Sequence, residues 1–170
     1  MSGHLDLAKK TGATIVYGPT AKPGFEALVA EDNQEFKVGA YTVKVLHTPG
    51  HTMESTTYLL SDENGKQHGI ITGDTLFIGD VGRPDLAQHV IADLTERKLA
   101  AHLFDSLRNK IMPLADDVTV YPAHGAGSAD TKAPPSDLTM PYGQCANPSL
   151  PPPPVAAASP GLPGNRSCSS

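Results

Sequence analysis

Tyr41-Thr42-Val43-Lys44-Val45-Leu46-His47-Thr48-Pro49-Gly50-His51-Thr52 runs from an alternating segment into a turn that carries imidazole. Tyr41, Val43, Val45 and His47 recur with period two, so 41–47 reads as a half-buried strand that Pro49-Gly50 ends. Upstream, Glu35 to Val38 reads as a neighbouring strand joined at Gly39. Downstream, Ser55 to Leu60 and Gly69 to Thr72 are strand-like and flank Asn64-Gly65, a strong hairpin signal. A two-residue turn there pairs Glu63 with Lys66, Leu60 with Gly69 and Ser55 with Asp74, which returns Asp74 beside the turn of His51.

Helical signals alternate with these strands, so the class is α/β. His4 to Thr11 reads as a short helix stopped by Gly12, followed by β-rich Ala13 to Tyr17. From Asp93 to Met112, Leu99, Leu103, Phe104, Leu107 and Ile111 recur at helical spacing and form one core-facing stripe, which Pro113 ends. Val118 to Tyr121 is a last short strand. A long helix between the Asp74 strand and this one is what a parallel crossover needs, and it leaves His124 emerging near Asp74.

Three signatures thereby converge beyond the strand ends, where ligands bind in open α/β sheets: His47-Thr48-Pro49-Gly50-His51-Thr52, Gly73-Asp74-Thr75 and Pro122-Ala123-His124-Gly125. Each alone is an ordinary turn or cap sequence. Together their imidazole and carboxylate groups suit zinc or non-haem iron. His47 reads as a strand-end residue that orients its neighbours, and His4, His68, His89 and His102 as solvated.

The 170 residues suffice for one domain with a substantial core. The net charge of -5 is scattered, with no basic stripe for nucleic acid and no polybasic membrane patch. No apolar run spans a bilayer and no secretory leader opens the chain, which predicts a cytoplasmic protein. Cys145 and Cys168, the two cysteines, lie in the last quarter, so the chemistry before them falls to His, Asp and Glu. Residues 130–170 hold ten of the sixteen prolines and no periodic apolar pattern. Two regions are therefore expected: a folded domain over 1–129 and a Pro-rich disordered tail over 130–170.

These motifs resemble the metallo-β-lactamase superfamily, and within it the branch holding glyoxalase II and the persulfide dioxygenases. The resemblance covers about Ser2 to Ser128. It implies a four-layer αββα sandwich with a metal site at one edge of the sheets. His51 and Asp74 would then be ligands, with His124 a ligand to a second metal where two are bound. Gly79-Asp80-Val81-Gly82-Arg83-Pro84-Asp85-Leu86 looks like the Gly-Arg-x-Asp segment of persulfide dioxygenases, implying that Arg83 faces an anionic substrate and Asp85 orients it. Gly125-Ala126-Gly127-Ser128 is similar to bacterial members fused to rhodanese domains, although no rhodanese domain follows.

The superfamily's His-x-His-x-Asp-His loop would stand just before Ser2-Gly3-His4, and no such sequence occurs in the chain. The resemblance thus implies an N-terminally truncated sandwich lacking its first strands, with apolar surface uncovered. The expected parent chemistry is Fe(II)-dependent oxidation of a low-molecular-weight thiol persulfide to sulfite, with metal binding and activity weakened by the truncation. Two alternatives stand beside it: a glyoxalase II-like thioester hydrolase with zinc, and an inactive fragment. A small thiol persulfide or thioester is the expected partner, and a homo-oligomer is compatible with the sequence.

Overall fold

A computed structural model describes residues 3–84, 96–123 and 140–141. The elements are α1 (His4–Thr11), β1 (Val16–Tyr17), β2 (Leu28–Val29), β3 (Glu35–Val38), β4 (Tyr41–His47), β5 (Thr56–Ser61), β6 (Gln67–Gly73), β7 (Leu76–Phe77), β8 (Asp80–Val81), α2 (Glu96–Ser106), β9 (Thr119–Pro122) and β10 (Met140–Pro141). One wide π turn, Leu107–Ile111, continues α2. The main sheet has the order β10-β9-β6-β5-β4-β3, while β1-β2 and β7-β8 form two small two-stranded sheets.

Register decides which residues make the core. Lys44 lies opposite Leu59, Leu59 opposite Ile70, and Ile70 opposite Val120, so one row crosses four strands on one face. Leu46, Leu59, Ile70, Leu76, Ile111, Val118 and Val120 form the buried cluster there, with Leu107 and Leu114 packed against it. Ile71 and Tyr121 face each other in the next row, on the opposite side of the sheet, and each remains 44% exposed. The β6–β9 pairing is parallel, as the crossover argument requires, and just past β9 the Ala123 N–H donates to the Gly73 carbonyl at 3.0 Å.

Several expectations change in detail. Leu60 does pair with Gly69, but a bulge between Leu60 and Ser61 shifts the end of the hairpin. Its turn is not a two-residue one. Asp62 closes it, the Oδ1 accepting from the N–H groups of Asn64 and Lys66 at 2.9 Å each, while the Asp62 N–H donates to the Lys66 carbonyl. The other end of the ladder stops at Tyr58–Ile71, so Ser55 and Asp74 are not a strand pair. A side-chain bond intervenes: Thr72 donates its hydroxyl to the Leu76 carbonyl at 2.7 Å and turns the chain out of β6.

Phe104 leaves the predicted stripe, being 62% exposed with the Arg108 guanidinium over its ring, while Leu99, Leu103, Ser106 and Ile111 are buried. Stepping from 99 to 103 to 106 keeps one helix face, and 104 lies about 100° off it. The described part of α2 begins at Glu96; residues 85–95 lie outside the described set. α1 ends at Gly12, whose φ is 72° and whose N–H caps Ala8. His4 is not solvated as expected: it is half-buried with its ring 4.9 Å from that of Phe25. Within the stretch read as a disordered tail, Met140 and Pro141 pair antiparallel with Val120 and Thr119. Among the described residues, no helix is long and apolar enough to cross a membrane.

Candidate metal centre

His51 and Asp74 do meet. Their Nε2 and Oδ2 atoms are 3.8 Å apart, with side chains 21% and 29% exposed. The opposite ring nitrogen of His51 is committed, since Nδ1–H donates to the Arg83 carbonyl at 3.0 Å. That bond orients the ring and turns Nε2 to the Asp74 side, the arrangement a ligating imidazole requires. Two ligands held about 2.1 Å from one ion lie about 3–3.5 Å apart, so the pair fits two positions of a zinc or iron site with a small inward movement. A complete donor set is another matter: among the described residues, no group of three or more His, Cys, Asp or Glu side chains converges.

Each turn is held by several independent contacts. At the His51 turn, Gly50 lies against the Leu103 backbone, and Ser106 donates its hydroxyl to the Pro49 carbonyl at 2.8 Å. His47 and Thr20 both donate to the Met53 carbonyl, at 2.8 and 3.2 Å, which confirms His47 as a strand-end residue that braces the turn. Asp32 adds a strut from outside: its Oδ1 accepts from the His47 N–H at 2.7 Å and its Oδ2 from Lys110 Nζ at 2.6 Å. Gly82 packs so closely on the Asp74 carbonyl and His51 Cβ that no side chain fits there.

Of the other predicted site residues, Arg83 is exposed and meets the centre through its carbonyl. Asp85 and His124 lie outside the described residues, as do Cys145, Cys168 and His89. Ala123, one residue before His124, is bonded to Gly73, one residue before Asp74. Sequence reasoning missed the buried hydroxyls of Thr48, Thr57 and Thr75, and the Asp32 strut. The signal for the first was a Thr within the His47–Thr52 turn and another directly after Asp74; nothing local announces the second. A concavity of about 560 Å³ between α1 and β2, lined by Ala8, Thr14, Ile15, Glu26 and neighbours, contains none of the predicted ligands.

Burial pushes the Asp32 carboxyl up, but the Lys110 ammonium and the His47 N–H outweigh it and hold the group below its ordinary value of 3.8. The folded state therefore favours the anion. Its contribution is complete above the unfolded-state value and is lost as pH falls through the lower folded-state value. Wild-type stability should consequently fall more between pH about 5 and about 3 than that of Asp32→Asn, measured as the urea midpoint at each pH. Equal falls would show that the strut is not coupled to protonation.

A mixed sheet with its helix on one face, and His and Asp turns meeting beyond the strand ends, defines a metallo-β-lactamase-type α/β fold. The chain is 34% identical to a metallo-β-lactamase from Staphylococcus aureus, with a TM-score of 0.72 over 84% of this chain and 44% of that one. ETHE1 from Myxococcus xanthus is 27% identical with a TM-score of 0.57, the match covering 89% of this chain and 65% of that one. Among curated relatives, the hydroxyacylglutathione hydrolase of Brucella anthropi is 35% identical over 73% of this chain and 42% of its own length. That of Dictyostelium discoideum is 34% identical over 64% of this chain and 37% of its own. No family model matches the chain. The chain has the metallo-β-lactamase fold, and its similarities to hydroxyacylglutathione hydrolases and to ETHE1 support the superfamily branch that holds persulfide dioxygenases and glyoxalase II. It spans less than half the length of the curated relatives it matches.

Proposed function

We propose that the chain carries part of the active site of an Fe(II)-dependent persulfide dioxygenase, in which His51 and Asp74 hold the metal through Nε2 and Oδ2. The observation that carries the reading is the His51 Nδ1–H bond to the Arg83 carbonyl, which presents Nε2 to Asp74 and ties the ligand to the loop that resembles the dioxygenase segment. Arg83 faces the substrate's terminal sulfur or the developing sulfite, Asp85 orients Arg83, and His124 is a further ligand only where two metals are bound. Overall, RSSH, O2 and H2O give RSH, sulfite and two protons, so the S–S bond breaks and the outer sulfur is oxidised by O2. Bound iron supplies the activation of O2. The Arg83 guanidinium, permanently charged, neutralises the sulfur oxyanion as it forms.

The two described donors hold an ion less strongly than a full set would, so binding is expected to be weak. Anaerobic loading with iron followed by glutathione persulfide should give persulfide-dependent O2 uptake, with cytoplasmic fractionation the matching test of location. Replacing both His51 and Asp74 by alanine should remove bound iron and O2 uptake while changing the Tm by only a few degrees, because both side chains are partly exposed. Iron retained by that double variant would sink the assignment.

A second reading, metal-dependent thioester hydrolysis with zinc, draws on the hydroxyacylglutathione hydrolases among the relatives. Thiol release from a hydroxyacylglutathione without O2 consumption would establish it in place of the first. The absence of both activities and of metal binding would favour a chain with no catalytic role.

A further inference from the structure

We propose that Thr48, Thr57 and Thr75 form a positioning relay that couples the placement of His51 to that of Asp74. The proposal rests on reading His51 and Asp74 as a metal site. Thr48 stands three residues before His51, Thr75 directly follows Asp74, and Thr57 lies on β5 between them. All three are fully buried. Thr48 Oγ1 is 3.1 Å from Thr57 Oγ1 and 3.0 Å from Thr75 Oγ1, and Thr75 Oγ1 also reaches the Thr48 carbonyl at 3.5 Å.

Three hydroxyls bring three protons, and each needs an acceptor in a dry site. Running the chain as Thr57 to Thr48 to Thr75 to the Thr48 carbonyl uses all three. Running it the other way leaves the Thr57 proton without an acceptor among these groups. The first direction therefore prevails, and it makes Thr48 the donor that reaches across to the Asp74 turn. Valine would fill the same volume at each position, and a wholly apolar cluster of that shape would be close to neutral in stability. What the hydroxyls add is direction. A bond of about 3 Å fixes the separation of two turns that strand pairing does not connect, since the β5–β6 ladder ends before Ser55 and Asp74.

The test compares the full chain with Thr48→Val, Thr48→Ser and Thr75→Val, using Co(II) as the probe and His51→Ala as the blank. Thr48→Val should weaken Co(II) binding about tenfold and shift its visible absorption bands, as loss of a ligand's orienting partner does. Thr48→Ser keeps the hydroxyl and should restore both. In NMR spectra without metal, Thr48→Val should move the amide signals of residues 73–76, and Thr75→Val those of residues 50–52, each across the gap in sequence. Thr75→Val also serves if Thr48→Val does not fold. The relay is overturned if Thr48→Val and Thr48→Ser bind Co(II) alike, or if each substitution disturbs only its own turn. Should the wild-type chain bind no more Co(II) than the blank, the metal reading fails, and the amide signals alone decide the relay.

Discussion

Gly82→Ala is expected to abolish metal binding and to lower stability by about 3 kcal/mol. A Cβ at this position would fall on the Asp74 carbonyl oxygen and leave His51 Cβ only 2.9 Å away. Both contacts lie in the two turns that carry the candidate ligands, and one of them is to backbone, which no rotamer change relieves. The Gly82 N–H also donates to the Thr75 carbonyl at 3.2 Å, so the segment cannot back away without losing that bond. Metal titration should show at least a hundredfold weakening, since a shift of a few tenths of an ångström in both ligands removes the shared geometry. Gly24→Ala is the matched control, because nothing lies within 4 Å of its Cβ position. If Gly82→Ala binds metal as Gly24→Ala does, the loop carrying Arg83 is not part of the centre.

Legibility follows the range over which each interaction acts. β3 and β4 were read to the residue because period-two alternation and Gly39 are local signals. The parallel neighbour of β6 was legible too, since a crossover containing a long helix leaves few topologies. By contrast, β2 has two exposed residues and no alternation, and it exists through pairing with β1 alone. The hairpin turn depends on which backbone groups the Asp62 carboxylate captures, which a dipeptide rule for Asn64-Gly65 does not see.

The candidate site divides in the same way. His51 and Asp74 were named from ligand chemistry and brought together by a strand pair that the molecule does not make. The meeting was right and its cause was different: buried threonines, a glycine contact and a bond from Ala123 to Gly73 do that work. The longest of these contacts join residues 27 or more apart through a single hydroxyl or a missing Cβ atom. No periodicity records them. The part of the site that sequence conveys is therefore its donor chemistry, while its spacing belongs to packing.

Gly50→Ala tests that packing from the helix side and is expected to cost about 3 kcal/mol or more. Gly50 has φ of 148°, a conformation that L side chains rarely adopt, and its Cβ position lies 2.5 Å from Leu103 Cα and 2.6 Å from Leu103 N. An alanine methyl must push the turn off α2. Doing so stretches the 2.8 Å bond from Ser106 to the Pro49 carbonyl and displaces His51 one residue further on. Because the collision includes the helix backbone, shortening the Leu103 side chain gives no relief. The Gly50→Ala, Leu103→Ala double variant should accordingly be no more stable than Gly50→Ala alone in urea unfolding, and should bind Co(II) no better. Recovery in the double variant would mean that the side chain alone fills the space, and that α2 can yield to the turn rather than set its position.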